Sequence, residues 1–258
     1  MAKSLGSVLE PTADARVDEP SSQHPFRSAL MVTFIGYVVL AALMLGIGFL
    51  LTHALDGTVG SWDRHVSEHF ARHRTSGWND ITKVATATVN TLPVVIVAAV
   101  VVGLLALRRH WREAAFLAIA LFLEITGFLS VTFTVDRPRP DVPRLNSTPA
   151  TSSFPSGHTA AAIVLFVGIA VIVACLTTNI LGRVLSALLS IAFAGTVGFS
   201  RVYRGLHYPS DVFSGALFGL ACLTVAAIAV RAASVRAART ETRAAPGDEE
   251  PPSVRRIA

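Results

Sequence analysis

The sequence predicts an all-α integral membrane protein, a bundle of six transmembrane helices between two polar tails. Three observations carry that expectation. Of 258 residues, 52% are hydrophobic and only 15% are charged, against about 25% charged in soluble globular proteins. Mean hydropathy is positive, at +0.56. The charges crowd into a few places, and the apolar runs between them reach the roughly 20 residues that cross a bilayer. A soluble enzyme built on one buried core is excluded, and so is a mainly disordered chain. Six spans leave room for short loops and tails but for no large soluble domain.

Residues 1–26 mix acids, serine and proline without apolar periodicity and read as a disordered cytoplasmic tail. The first span covers residues 29–51. In the polar stretch 56–80, Trp62, Val66 and Phe70 recur every four residues, the mark of a short amphipathic helix at the interface. The second span covers 81–107 and stops at Arg108, Arg109 and Arg112. The third, 113–135, carries one acid, Glu124. Residues 136–157 hold too many prolines for regular helix. The fourth, fifth and sixth spans cover 158–176, 183–199 and 209–230. Residues 27–232 thus form one membrane domain, followed by a second disordered tail, 233–258.

Six spans put both tails on one side of the membrane. That side holds thirteen lysines and arginines and the opposite side nine, a bias that favours cytoplasmic tails in a plasma-membrane protein. The outer face then gathers the segments 56–80, 136–158 and 200–211. Net charge +5 is explained by this orientation, so nucleic acid is not an expected partner. Cys175 and Cys222 fall inside apolar runs and read as small core residues, and no cleavable signal peptide is evident.

Ionisable residues near a bilayer are costly, so clusters of them mark functional sites. One cluster is Arg137-Pro-Arg139-Pro140, followed by Pro155-Ser156-Gly157-His158 at the head of the fourth span. The other is Ser200-Arg201-x5-His207-x3-Asp211, which joins the fifth span to the sixth. Ser156 is placed to cap the fourth helix, and Gly157 lets a ligand approach its free N–H groups, an anion site. Arg139 and Arg201 offer planar forks suited to phosphate oxygens. One helical turn separates His207 from Asp211, so the carboxylate can hold one ring nitrogen protonated and leave the other as a nucleophile.

These residues, in this order and spacing, resemble the three-part signature of the type-2 phosphatidic acid phosphatase superfamily. The motifs cover residues 132–211, and the six-span layout extends the likeness over most of the chain. The resemblance implies a phosphatase acting on a membrane-embedded lipid phosphate or pyrophosphate, with undecaprenyl pyrophosphate the first choice and no metal or other cofactor required. It implies that His207 attacks phosphorus, that Asp211 orients it, and that His158 protonates the leaving oxygen and then activates water. Arg139, Arg201, Ser156 and the Gly157 N–H would hold the phosphate oxygens. One departure stands out: a lysine usual in the family seven residues before Arg139 is here Thr132. Arg137 is the nearest replacement, with Arg204 second. An unreplaced contact of this kind costs about 2–4 kcal/mol in the transition state. The same residues also suit a lipid phosphotransferase, or a catalytically impaired lipid-binding relative.

Other features receive plainer readings. His65-Val-Ser-Glu68-His69 matches the H-x-x-E-H pattern of some zinc proteases. Without a clear third ligand, it and His73 read as contacts to lipid headgroups or a pocket lid. Glu124 either lines a lipid-tail entrance or is a hydrogen-bonded structural acid, with Asn90 a possible partner. Gly215-x3-Gly219 suits close helix packing within the bundle.

Overall fold

A computed structural model describes residues 25–147 and 151–244, and among these every regular element is helical. Helix α1 (Pro25–Phe49) continues through two wide turns, Leu50–Ala54 and Asp56–Gly60, into α2 (Ser61–Arg72). Then come α3 (Ser76–Ala87), α4 (Thr91–Leu107) and α5 (Trp111–Thr132). After a long irregular segment, α6 (Gly157–Ala162) and α7 (Gly168–Leu176) join through a wide turn into one apolar rod, Gly157–Leu176. The last elements are α8 (Ile180–Tyr203) and α9 (Pro209–Ala244). Among the described residues five helices are long and apolar enough to cross a membrane, and the bent pair α3–α4, counted as one broken span, brings the number to six.

The second span departs from its expected straight course. It breaks between Ala87 and Thr91, and its halves meet at 50°. Pro93 explains the break, because it has no N–H to give the carbonyl of Val89 and is tolerated only in the first turn of a new helix. The sixth helix runs further than expected. It continues as helix to Ala244, so the first residues assigned to a disordered tail prolong α9. Nearly all of the tail 1–26, and residues 245–258, lie outside the described residues.

Helix α9 packs against α1, α5 and α6 and forms the centre of the bundle. Close approach there depends on its two glycines. A Cβ at Gly215 would lie 2.5 Å from the carbonyl oxygen of Ser156, and one at Gly219 would lie 2.9 Å from that of Ala160. The pair therefore packs inside the bundle, as the sequence led us to expect. Phe116, Leu117, Leu165, Val197, Phe218 and Cys222 fill the core. Phe34, Leu43, Val100, Leu104, Leu189 and Ile191 point outward on α1, α4 and α8, as apolar side chains do where lipid replaces water.

The ends of the elements fix where chemistry can occur. The C-terminal ends of α1, α5 and α8 and the N-terminal ends of α4, α6 and α9 lie toward one end of the bundle, because alternate spans run in opposite directions. The amphipathic helices α2 and α3 lie at that same end and pack on α8. Gly215→Ala should cost about 1–3 kcal/mol of stability through overpacking against Ser156. The check is thermal unfolding of the detergent-solubilised protein, where an unchanged midpoint would contradict the close approach.

Candidate active site

The irregular segment after α5 folds back on itself. The Ser153 N–H donates to the carbonyl of Arg137 at 2.9 Å, and the Ser153 hydroxyl donates to that of Pro138 at 3.0 Å. This brings Arg139 beside residues 151–153, where its Nη2 donates to the Ser152 carbonyl. The turn from α8 to α9 is equally determined. The N–H of Gly205 donates to Val202 O at 2.9 Å, and that of Leu206 donates to Arg201 O at 3.0 Å. Together they form a Schellman motif, with Gly205 in the left-handed region at φ 72°. The His207 N–H also reaches Arg201 O, at 3.3 Å. The five residues between Arg201 and His207 are thus the length of one helix stop.

His207 is buried, and its ring is oriented by the backbone. Nδ1 lies 2.6 Å from the carbonyl oxygen of Ser153, which can only accept, so Nδ1 carries the proton. Nε2 is left with its lone pair, 3.4 Å from Nη1 of Arg139. Burial and the nearby cations Arg201 and Arg139 hold this imidazole well below its usual pKa, against the opposing Ser153 hydrogen bond. The sequence suggested that Asp211 would hold the ring nitrogen. Asp211 lies close, with Oδ2 3.8 Å from Nδ1, but beyond hydrogen-bond range. That oxygen accepts the N–H of Tyr208 at 2.9 Å, the reciprocal half of a capping box at the start of α9.

Around the free face of His207 stand polar groups with unused valence. Arg201 reaches through Nη1 to the Thr86 hydroxyl at 2.7 Å. The Nε atoms of Arg139 and Arg201 are both buried without a hydrogen-bond partner, as is Oγ1 of Thr132. Burial and Arg144 hold the Arg139 guanidinium below its usual pKa, with Asp211 opposing. Buried donors of this kind are costly unless a ligand takes them, and a tetrahedral oxyanion is the ligand their charge suits. His158 stands at the head of α6, its Nε2 3.1 Å from Oδ1 of Asn90. The break in the second span is what places Asn90 there, so this amide serves His158 and not Glu124. Glu124 is buried in mid-α5. Ser156 pairs with the Thr159 hydroxyl at 2.9 Å and makes no side-chain cap of the helix. The sequence signal for this role is a polar residue three before a proline, Asn90 ahead of Pro93, which puts the amide at the start of a new helix.

Arg137 corrects an expectation. Its Nη1 donates to Asp211 and, at 2.8 Å, to Ser210, and its Nη2 donates to Asp63 at 2.7 Å. The guanidinium is taken up by protein oxygens on the Asp211 side of His207 and does not stand in for the missing lysine. Arg204, the second replacement, is likewise engaged, by Asn146, Asn79, Thr82 and Leu145. Helix α2 forms where predicted, but its most buried side chains are Asp63 and Ser67, while Trp62 is exposed. Phe70 packs on Phe199 and Tyr203. His65, His69 and His73 are exposed. Rings of His69 and His73 stack at 4.3 Å.

A family model described as the PAP2 superfamily matches residues 114–234, the part of the chain that carries all three motifs. Among solved structures, the chain is similar to a transmembrane PAP2 type phosphatidylglycerolphosphate phosphatase from Bacillus subtilis. Identity is 26% over 77% of this chain and 92% of that one, with a TM-score of 0.56. It is also similar to LpxE from Aquifex aeolicus, at 23% identity over 63% of this chain and 92% of that one, with a TM-score of 0.50. The second likeness is one of fold. No curated protein matches the chain.

The depressed pKa of His207 has a consequence for stability. An unfolded histidine takes up a proton near pH 6.5, whereas the buried ring resists it. The unfolded state therefore binds more protons below that pH, and stability contributed by the neutral ring is lost as pH falls below 6.5. The unfolding midpoint should drop between pH 7 and 5, and drop less steeply in His207→Gln. Equal slopes would contradict the environment described.

Proposed function

We propose that this chain, a member of the PAP2 superfamily through residues 114–234, is a membrane lipid phosphatase that works through a phosphohistidine on His207. The observation that supports this best is the fixed tautomer of His207. Its proton is held by the Ser153 carbonyl while Nε2 faces Arg139, beside two guanidinium groups with unbonded Nε atoms. A phosphate seated on those donors presents phosphorus to a neutral, buried nucleophile.

In the first half-reaction the Nε2 lone pair forms a bond to phosphorus, and the bond from phosphorus to the lipid or pyrophosphate oxygen breaks. His158 gives that oxygen its proton. In the second half His158 takes a proton from water, the water oxygen bonds to phosphorus, and the N–P bond breaks to release inorganic phosphate. Arg139, Arg201, the Gly157 N–H and Ser156 hold the equatorial oxygens, the kind of electrostatic stabilisation on which phosphoryl transfer depends. Asn90 orients the ring of His158.

The substrate class we propose is a lipid phosphate or pyrophosphate, undecaprenyl pyrophosphate first, reached at the outer surface of the plasma membrane. The bias of arginine toward the tail side supports the orientation. The site lies at the opposite end of the bundle, where a headgroup enters while its tails remain in lipid. The test is phosphate release from a panel of lipid phosphates by purified protein. His207→Ala should lower turnover by about 10³-fold or more, and EDTA should leave wild-type turnover unchanged. Release that survives His207→Ala, or stops on chelation and returns with a divalent metal, would overturn this mechanism.

A further inference from the structure

The reaction proposed above uses His207, His158 and two arginines but gives no role to the buried carboxylate of Asp63. Asp63 belongs to α2, far outside the family match, and has no exposed surface. Its Oδ1 accepts the N–H of Ser210 at 3.0 Å, and its Oδ2 accepts from the Ser210 hydroxyl and from Nη2 of Arg137. Ser210 is the second residue of α9, whose first N–H groups have no partner within the helix. Asp63 therefore caps α9 from a different helix.

Its charge matters as much as its hydrogen bonds. Arg137 is one cation held between two carboxylates, Asp63 and Asp211. Were Asp63 neutral, Arg137 would cancel Asp211. The Nδ1 side of His207 would then face a neutral pair while its Nε2 side faced Arg139 and Arg201. A ring that keeps its Nδ1 proton and bonds phosphorus at Nε2 becomes cationic, and it needs negative charge beside it.

We infer that Asp63 is a positioning residue for the phosphohistidine reaction. Acting through Arg137, it leaves the Asp211 side of His207 with the net negative charge that the phosphorylated ring requires. This rests on the reading of His207 as nucleophile. It also explains why a helix with an apolar line along it buries its acid.

The experiment compares kcat and KM for phosphate release by wild type, Asp63→Asn, Arg137→Gln and the double variant, with detergent-phase thermal unfolding as a fold control. Asp63→Asn keeps the shape and removes the charge. It should lower kcat about tenfold or more with KM within about twofold, since Asp63 does not touch the phosphate. The double variant removes one anion and one cation, restores the net charge, and should recover much of the lost kcat. A merely structural role predicts the reverse, a double variant worse than either single one. Asp63→Asn at wild-type kcat, or a double variant below Asp63→Asn, would overturn the inference. If Asp63→Asn alone does not fold, the double variant against wild type decides, because the two carry the same net charge beside His207: kcat within about tenfold of wild type supports the inference and a larger loss overturns it. Failure of the parent reading is distinguishable, because it shows as no phosphate release by wild type or as release undiminished in His207→Ala, and it removes the inference with it.

Discussion

One guanidinium buried between two carboxylates ties together three pieces of chain that are remote in sequence. Asp63 comes from α2, Arg137 from the segment after α5, and Asp211 from the first turn of α9. Removing one partner of such a cluster leaves an uncompensated charge in the protein interior and costs about 3–5 kcal/mol. The cluster also fixes the start of α9, since Asp63 and Asp211 take the N–H groups of Ser210 and Tyr208. His207 precedes Tyr208 and follows the Schellman turn that ends α8. Its backbone is thus held from both sides before any ligand arrives.

The arginines of the site divide into two kinds. Arg137 and Arg204 are satisfied by protein oxygens and hold loops and helix ends in place. Arg139 and Arg201 each keep a buried Nε with no partner, and they stand close enough to depress the pKa of His207. Positive charge left uncompensated in a buried site raises the energy of the empty protein. An anion relieves that cost, so binding and nucleophile activation draw on the same feature. In the reaction proposed above, the cations that attract phosphate are also the ones that keep His207 neutral and able to attack it.

The six spans and the three motifs were legible in the sequence because each depends on local pattern. Apolar run length sets a crossing, and the spacing Ser200-Arg201-x5-His207 sets a helix stop. What was not legible depended on contacts between distant segments. The line of Trp62, Val66 and Phe70 located α2 correctly, but periodicity ranks residues by hydropathy and could not foresee that Asp63 would be buried by a guanidinium 74 residues away. The expectation that Arg137 binds phosphate failed for the same reason. The kink in the second span was a partial exception, since Pro93 signals a new helix start and Asn90 stands just before it.

Orientation and charge are separable jobs at His207, and the structure gives them to different groups. In a triad a carboxylate both fixes the tautomer and faces the cation that forms. Here the Ser153 carbonyl fixes the tautomer at 2.6 Å, while the Asp211 carboxylate stands at 3.8 Å and accepts its hydrogen bonds from the Tyr208 N–H and from Arg137. A neutral carbonyl can hold a proton in place but cannot balance a full positive charge. Asp211 carries that charge, yet Arg137 sits on it and neutralises it. A second carboxylate is therefore needed if the first is both to hold the arginine and to face the ring, and Asp63 is where the fold supplies it.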